Sequence, residues 1–250
     1  MRVDVIVPAR LQSSRFPRKI LQNLDGVPIL RRVLERVTKL HGIDKIIALV
    51  DDEAVLQLVS QWGFCGILTS KNCTSGTERI ASIIDQLEGD FIINVQGDEP
   101  FIALDPLHKM IALAENSSSD VLTAIYPITS SKMLFSPHCV KVVLDVYDRA
   151  IYFSRSPIPF LRDVSEREQW PIHHQFWGHM GVYGYHRKIL KQYLSLKAGN
   201  LEWAERLEQL RLLENTIPVQ CIRTREPSMG IDVQEDLVAA EVFLKAHPDF

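Results

Sequence analysis

The chain has 250 residues, of which 46% are hydrophobic and 24% charged, with a formal net charge of −3. That length suits one large α/β domain or two small ones, and the composition is that of an ordinary soluble globular protein. The acidic balance excludes a general nucleic-acid binder, whose surface is strongly basic, and no apolar run approaches membrane-spanning length.

The N-terminus enters a strand, Val3–Val7, after a single Arg2. No signal peptide is therefore expected, and the cytoplasm is the expected compartment. Ile29–Leu40 reads as a helix, with Leu30, Val33, Leu34, Val37 and Leu40 on one face and Pro28 at its first turn. Lys45–Val50 is a second strand, Asp52–Trp62 a helix, Gly66–Leu68 a short strand and Gly76–Leu87 a helix. Phe91–Val95 is a buried strand, Asp105–Ala114 a helix and Val121–Tyr126 another strand. This β-α repetition predicts an α/β fold with a mostly parallel, Rossmann-like sheet and helices on both faces.

The rhythm changes near residue 136. Val140–Leu144 and Ala150–Phe153 read as an antiparallel hairpin around Asp145–Asp148, and Asp163–Gln175 as a polar, irregular stretch. Gly178–Tyr185 is a strand, Leu201–Asn215 one long helix, Val219–Ile222 a strand and Val233–Ala246 a closing helix. Leu207, Leu210 and Leu213 of the long helix are expected to face a core or a partner. No Pro/Gly/Ser-rich linker interrupts the chain, so residues 1–250 are expected to form one domain carrying an antiparallel insertion at about 136–215. Cys65, Cys73, Cys139 and Cys221 form no C-x-x-C pair and match no zinc spacing, so reduced, mostly buried thiols are expected.

Chemistry concentrates first in Pro8–Lys19, where the opening strand runs into Arg10, Ser13, Ser14, Arg15, Arg18 and Lys19. A buried strand ending in a cationic loop is a place where α/β proteins hold phosphate. The loop is neither a Walker loop nor a dinucleotide fingerprint, and a solvated basic loop is the plain alternative. Asn94-Val95-Gln96-Gly97-Asp98-Glu99-Pro100 follows another strand, so Asp98 is expected in the same crevice. A carboxylate beside phosphates needs a cation between them, and Mg²⁺ suits oxygen ligands of both kinds. A simple Gly-Asp turn is the other reading. Asp232, in Gly230-Ile231-Asp232, is a second carboxylate for that metal or a cap on the closing helix. Ser75-Gly76-Thr77-Glu78-Arg79 gives a helix start that admits a base or sugar edge, or a capping box of Ser75 and Glu78.

Taken together, Pro-Ala-Arg-x-x-Ser-Ser-Arg-x-Pro-x-Lys, Ser-Gly-Thr-Glu-Arg, Asn-Val-Gln-Gly-Asp-Glu-Pro, Tyr-Phe-Ser-Arg-x-x-Ile-Pro (from Tyr152), His-x-Gly-x-Tyr-Gly-Tyr (from His179), Leu-Glu-Gln-Leu-Arg (from Leu207) and Gly-Ile-Asp stand in an order that resembles the 3-deoxy-manno-octulosonate cytidylyltransferases, or CMP-Kdo synthetases. The resemblance runs from Val3 to about Leu237. It implies a fold of the nucleotide-diphospho-sugar transferase type and a homodimer. It also implies a Mg²⁺-dependent transfer of CMP from CTP to Kdo, for lipopolysaccharide synthesis. By the same resemblance, Arg10, Ser13, Arg15 and Lys19 bind the triphosphate, and Ser75 and Gly76 lie near the base. Asp98 and Asp232 hold the metal, and Arg10 and Lys19 act with them in catalysis. Gln96, Arg155, His179, Tyr183, Glu208 and Gln209 line the Kdo pocket. The sequence departs from the family where Arg18 replaces a frequent Gly, and where Gly-Ile-Asp-Val replaces Gly-Val-Asp-Thr. Two further readings stand beside this one: a cytidylyltransferase for another acidic sugar such as a sialic acid, and a CTP-binding regulator without turnover.

Overall fold

Continuous apolar runs can be buried on both faces only inside a sheet that helices cover twice. In the computed structural model, which describes residues 1–13, 16–116, 119–225 and 229–247, the first run does this. β1 (Val3–Ala9) is buried along its whole length. A 3-10 turn (Lys19–Leu21), the small hairpin β2 (Asn23–Leu24) and β3 (Val27–Pro28), and α1 (Ile29–Val37) follow. Next come β4 (Lys45–Val50), α2 (Glu53–Gln61), β5 (Cys65–Leu68), α3 (Gly76–Ala81), β6 (Phe91–Asn94), α4 (Leu104–Asn116) and β7 (Val121–Ile128). The second half contains α5 (Ser131–Phe135), β8 (Lys141–Leu144), β9 (Ala150–Ser154), α6 (Trp170–His173), β10 (Phe176–His186) and α7 (Arg187–Tyr193). It closes with α8 (Asn200–Glu205), α9 (Leu210–Glu214), β11 (Gln220–Arg223) and α10 (Gln234–Ala246).

The main sheet runs β11-β7-β10-β6-β1-β4-β5, with β8 joined to β10 and β9 to β8. β6, β1, β4 and β5 pair in parallel, β10 runs antiparallel between β6 and β7, and β8 and β9 form the expected hairpin. Strand alternation separates two cores. Val3, Val5 and Val7 pack with Leu30, Val33, Leu34 and Val37 of α1 and with Leu107 and Met110 of α4. Ile6 packs on the other face with Ile80 of α3, Ile189 and Leu190 of α7, and Leu210 and Leu212 of α9. No helix among the described residues is long and apolar enough to cross a membrane.

Four expectations need correction. The helix read over 201–215 is two helices, broken at Arg206, whose φ is 55°. Leu207 and Leu210 are still buried, but a turn over 207–209 separates α8 from α9. The helix read over 76–87 ends at Ala81 and continues only as a 3-10 turn, Ile84–Gln86. The stretch 163–175 carries a 3-10 turn and α6, whose Trp170 is buried. The thiols are also less buried than expected: Cys221 is buried, Cys73 and Cys139 are half-buried and Cys65 is exposed, all four free.

Candidate active site

The parallel strands end along one edge, and the crevice there lies between β1 and β6, where an open α/β sheet places its ligands. The ladder continues past both strands, with Val95 N donating to Ile6 O at 3.0 Å and Gly97 N to Pro8 O at 3.2 Å. Gly97 is needed for this approach, since a Cβ there would stand 3.0 Å from both Ala9 Cβ and Pro8 O. The two loops leaving β1 and β6 therefore share one wall. A cavity of about 690 Å³ opens against them.

The start of the cationic loop is held by a carboxylate that the sequence reading passed over. Asp51, just after β4, accepts from Leu11 N at 2.9 Å, and Arg79 Nη2 lies 3.5 Å from its other oxygen. Arg79 also donates to Thr69 Oγ1 and to Ser70 O. This nearly buried pair ties α3 to the loop that carries Arg10. A carboxylate directly after a parallel strand points to the same edge as Asp98, and that signal was present in the sequence.

Asp98 and Asp232 meet in the crevice. Ile231 N donates to Asp98 O at 3.0 Å, which joins the two segments. The Lys19 ammonium then bridges both carboxylates, bonding Asp98 Oδ2 and, at 2.9 Å, Asp232 Oδ1. Burial alone would pull the Lys19 pKa down, but the two carboxylates more than offset this and raise it. The helix-cap reading of Asp232 gives way to a different residue. Asp236 caps α10, accepting from Val233 N at 3.0 Å and Asp232 N at 2.8 Å, so the Asp232 carboxylate faces Lys19.

Ser75 caps α3, accepting from Glu78 N at 3.1 Å, while Glu78 reaches one residue further back, to Thr74 N at 2.8 Å. Gly76 lets Gln96, Pro8 and Asn94 pack closely on the first turn of α3: an added Cβ would lie 3.3 Å from Gln96 Nε2. The opposite wall comes from β10 and the α8–α9 turn. In β10, Gly181 and Val182 loop out of the ladder between Met180 and Tyr183. Because two residues are inserted, His179 and Tyr183 stay on one face, with ring centroids 5.4 Å apart. Thr123 Oγ1 donates to Val182 O at 2.8 Å and so accepts from His179 Nε2 at 2.9 Å. That assigns the imidazole proton to Nε2 and leaves Nδ1 as an acceptor. Burial lowers the His179 pKa to about 3, so the ring is neutral. Burial raises the Glu208 pKa, only partly opposed by hydrogen bonds from Ser75 and Thr77. The buried Gln209 Nε2 has no hydrogen-bond partner.

Arg10, Ser13, Lys19, Ser75, Gly76, Gln96, Asp98, His179, Tyr183, Glu208, Gln209 and Asp232 all line the cavity. Arg15 lies outside the described residues. Arg155 does not line it. Its guanidinium donates to Glu205 O at 2.8 Å, Pro137 O at 2.9 Å and Arg206 O at 3.5 Å. Arg155 thereby caps the end of α8 and holds the turn that presents Glu208 and Gln209. Lining residues that the sequence reading did not select include Arg79, Tyr126, His138 and Arg206.

A cationic loop and a carboxylate pair at the carboxyl edge of a parallel sheet define a nucleotide-handling α/β protein. The cytidylyltransferase family model matches residues 5–222. The chain is 39% identical to 3-deoxy-manno-octulosonate cytidylyltransferase of Thermodesulfovibrio yellowstonii, over 97% of this chain and 98% of that protein. It is 37% identical to the protein of the same name from Chloroherpeton thalassium, over 98% of each. A solved structure of CMP:2-keto-3-deoxy-manno-octonic acid synthetase complexed with CTP superposes with a TM-score of 0.91 at 31% identity, covering 98% of this chain and 99% of that one. The chain belongs to the cytidylyltransferase family, among the 3-deoxy-manno-octulosonate cytidylyltransferases.

Proposed function

We propose that this protein transfers CMP from CTP to the anomeric hydroxyl of Kdo, giving CMP-Kdo and pyrophosphate. The observation that carries this reading is the meeting of Asp98, Asp232 and Lys19 in a cavity that Arg10 and the Ser75–Gly76 helix start also line. The named relatives and the CTP-complexed neighbour support the choice of nucleotide and sugar.

In this reaction the anomeric oxygen bonds to the α-phosphorus, the bond from that phosphorus to the bridging oxygen breaks, and the hydroxyl proton leaves to solvent. No protein nucleophile is needed, so positioning and charge neutralisation carry the catalysis. Arg10, Lys19 and Arg15 bind the triphosphate, with Ser13 as a neutral donor. The cavity wall at Ser75 and Gly76 takes the base. Gln96, His179 Nδ1, Tyr183 and Glu208 bind the acceptor, and Gln209 Nε2 gains the partner it lacks, since an unpaired buried donor costs about 1–3 kcal/mol. Arg155 positions the 206–209 turn rather than gripping the sugar itself. The donor set fits Mg²⁺: two carboxylates gathered around one cation supply the hard oxygen ligands that this ion prefers. Asp98 and Asp232 would hold the ion. When bound, it supplies charge neutralisation at the α-phosphate and lowers the pKa of the attacking hydroxyl.

Incubation with CTP, Mg²⁺ and Kdo tests the reading, with pyrophosphate release as the signal. Release with Kdo and not with a sialic acid is expected. Release with the sialic acid alone, or tight CTP binding without turnover on either sugar, overturns it. We also read residues 136–215 as the part that binds the acceptor and pairs two copies of the chain. Exposed Val146, Tyr147, Ile151 and Trp203 on this segment support that reading. On the same reading the enzyme works in the cytoplasm, on Kdo destined for lipopolysaccharide.

A further inference from the structure

Two carboxylates in one crevice repel each other unless a cation lies between them. Here that cation is the ammonium of Lys19, a residue only 8% exposed. Its backbone is well anchored: Lys19 N donates to Phe16 O at 3.2 Å, Gln22 N donates to Lys19 O at 3.0 Å, and the neighbouring Ile20 is 3% exposed in the core. The ammonium itself is a compact charge on a four-carbon stem, so it can change partners while the main chain stays in place. Arg10 lines the same cavity, so a polyanion held there also lies near Lys19.

We propose that Lys19 is an internal stand-in for the divalent cation: it holds Asp98 and Asp232 together in the nucleotide-free protein and exchanges them for the triphosphate when the nucleotide and its metal arrive. The inference rests on the metal role proposed above. Lys19 keeps the pair assembled without metal, and it also competes with metal for the same oxygens. Free metal therefore binds weakly, and nucleotide relieves the competition by giving the ammonium phosphate oxygens instead. The Lys19 charge is used in both states, first against carboxylate and then against phosphate. Coupling of this kind makes nucleotide and metal binding mutually reinforcing, and reciprocally so.

The test is Mn²⁺ binding followed by electron paramagnetic resonance, in wild type and Lys19→Met, with and without CTP. Without nucleotide, Lys19→Met should bind Mn²⁺ at least about tenfold more tightly than wild type, because its competitor is gone. CTP should tighten Mn²⁺ binding strongly in wild type and much less in the variant. Unchanged or weaker Mn²⁺ binding by folded Lys19→Met without CTP overturns the inference and leaves the metal role standing. Absence of Mn²⁺ binding by wild type even with CTP removes the metal role and the inference together. A second measurement needs no variant: in wild type labelled with ¹³Cε-lysine, the Lys19 resonance should shift as Mg²⁺ saturates the nucleotide-free site. A resonance that stays in place at saturation overturns the exchange.

Discussion

His179 is a neutral base whose environment, rather than its sequence neighbours, sets its state. Phe153 packs edge-on against its ring, Thr123 Oγ1 accepts a hydrogen bond from Nε2–H, and burial lowers its pKa to about 3. The unfolded chain regains a histidine near 6.5. Between those values the unfolded state binds a proton that the folded state refuses, so stability falls as pH drops through that window. At pH 5 this term amounts to about 2 kcal/mol relative to neutral pH. His179→Gln should therefore lose less stability between pH 7 and pH 5 than wild type does, measured as urea midpoints. Asp98 makes a prediction of a different kind. It is half-buried and the role proposed for it is electrostatic, so Asp98→Asn should keep the fold but lower turnover by roughly 10²-fold or more, loss of a stabilising charge being worth several kcal/mol. Near-normal pyrophosphate release by folded Asp98→Asn removes it from the metal role. Arg18, the departure from the family pattern, adopts φ 53°, a left-handed conformation that glycine takes without strain.

The informative elements are those whose ends depend on distant residues. α8 stops at Glu205 because Arg155 caps its last carbonyls, while the Glu205 carboxylate accepts from Ser154 Oγ at 2.6 Å and Arg155 N at 2.9 Å. The reciprocal pair locks β9 to the turn that holds Glu208 and Gln209. Lys141, fully buried beside it, donates to Ser136 O, Cys139 O and Arg155 O, fastening the next loop of the wall. Arg155→Ala should lower stability by about 1–3 kcal/mol. It should also raise the KM for Kdo roughly tenfold with little change in CTP affinity. A residue that only touched the sugar would raise KM and leave the melting temperature unchanged. Arg155→Lys should recover part of the stability, since an ammonium can serve one of the three carbonyls well.

At the scale of the molecule, the parallel strands keep their chemistry at one edge, and the β8–β9 hairpin extends from β10. Tyr147 is 71% exposed, Ile151 60% and Trp203 69%. On the reading proposed above, a second copy of the chain covers these side chains, because a two-fold interface lets one patch bury itself. Trp203→Glu with Ile151→Glu should convert a dimer to a monomer in light scattering, while leaving CTP binding in place. A wild-type protein that is monomeric at micromolar concentration overturns that reading.

The sequence by itself determined most of the strands and helices of the first half, because their apolar periods are local and both faces are covered, but not the β2–β3 hairpin or where α3 stops. It also pointed to residue types at the carboxyl edge: Arg10 lies one position past β1, Ser75 and Asp232 lie one and two positions before a helix, and Asp98 and Lys19 lie in the loops that follow β6 and β1. Only the tertiary structure decided how those charges pair. Lys19 and Asp232 are 213 positions apart, and no local pattern makes an ammonium choose a carboxylate over a solvated state. The break at Arg206 and the looped-out Gly181–Val182 have the same origin. Leu201–Asn215 has ample helical propensity, but the guanidinium of Arg155, just past β9, satisfies the carbonyls that another helical turn would have used. Local period sets an element's existence. Long-range hydrogen bonds set where it ends, and in this protein the site is built from those ends.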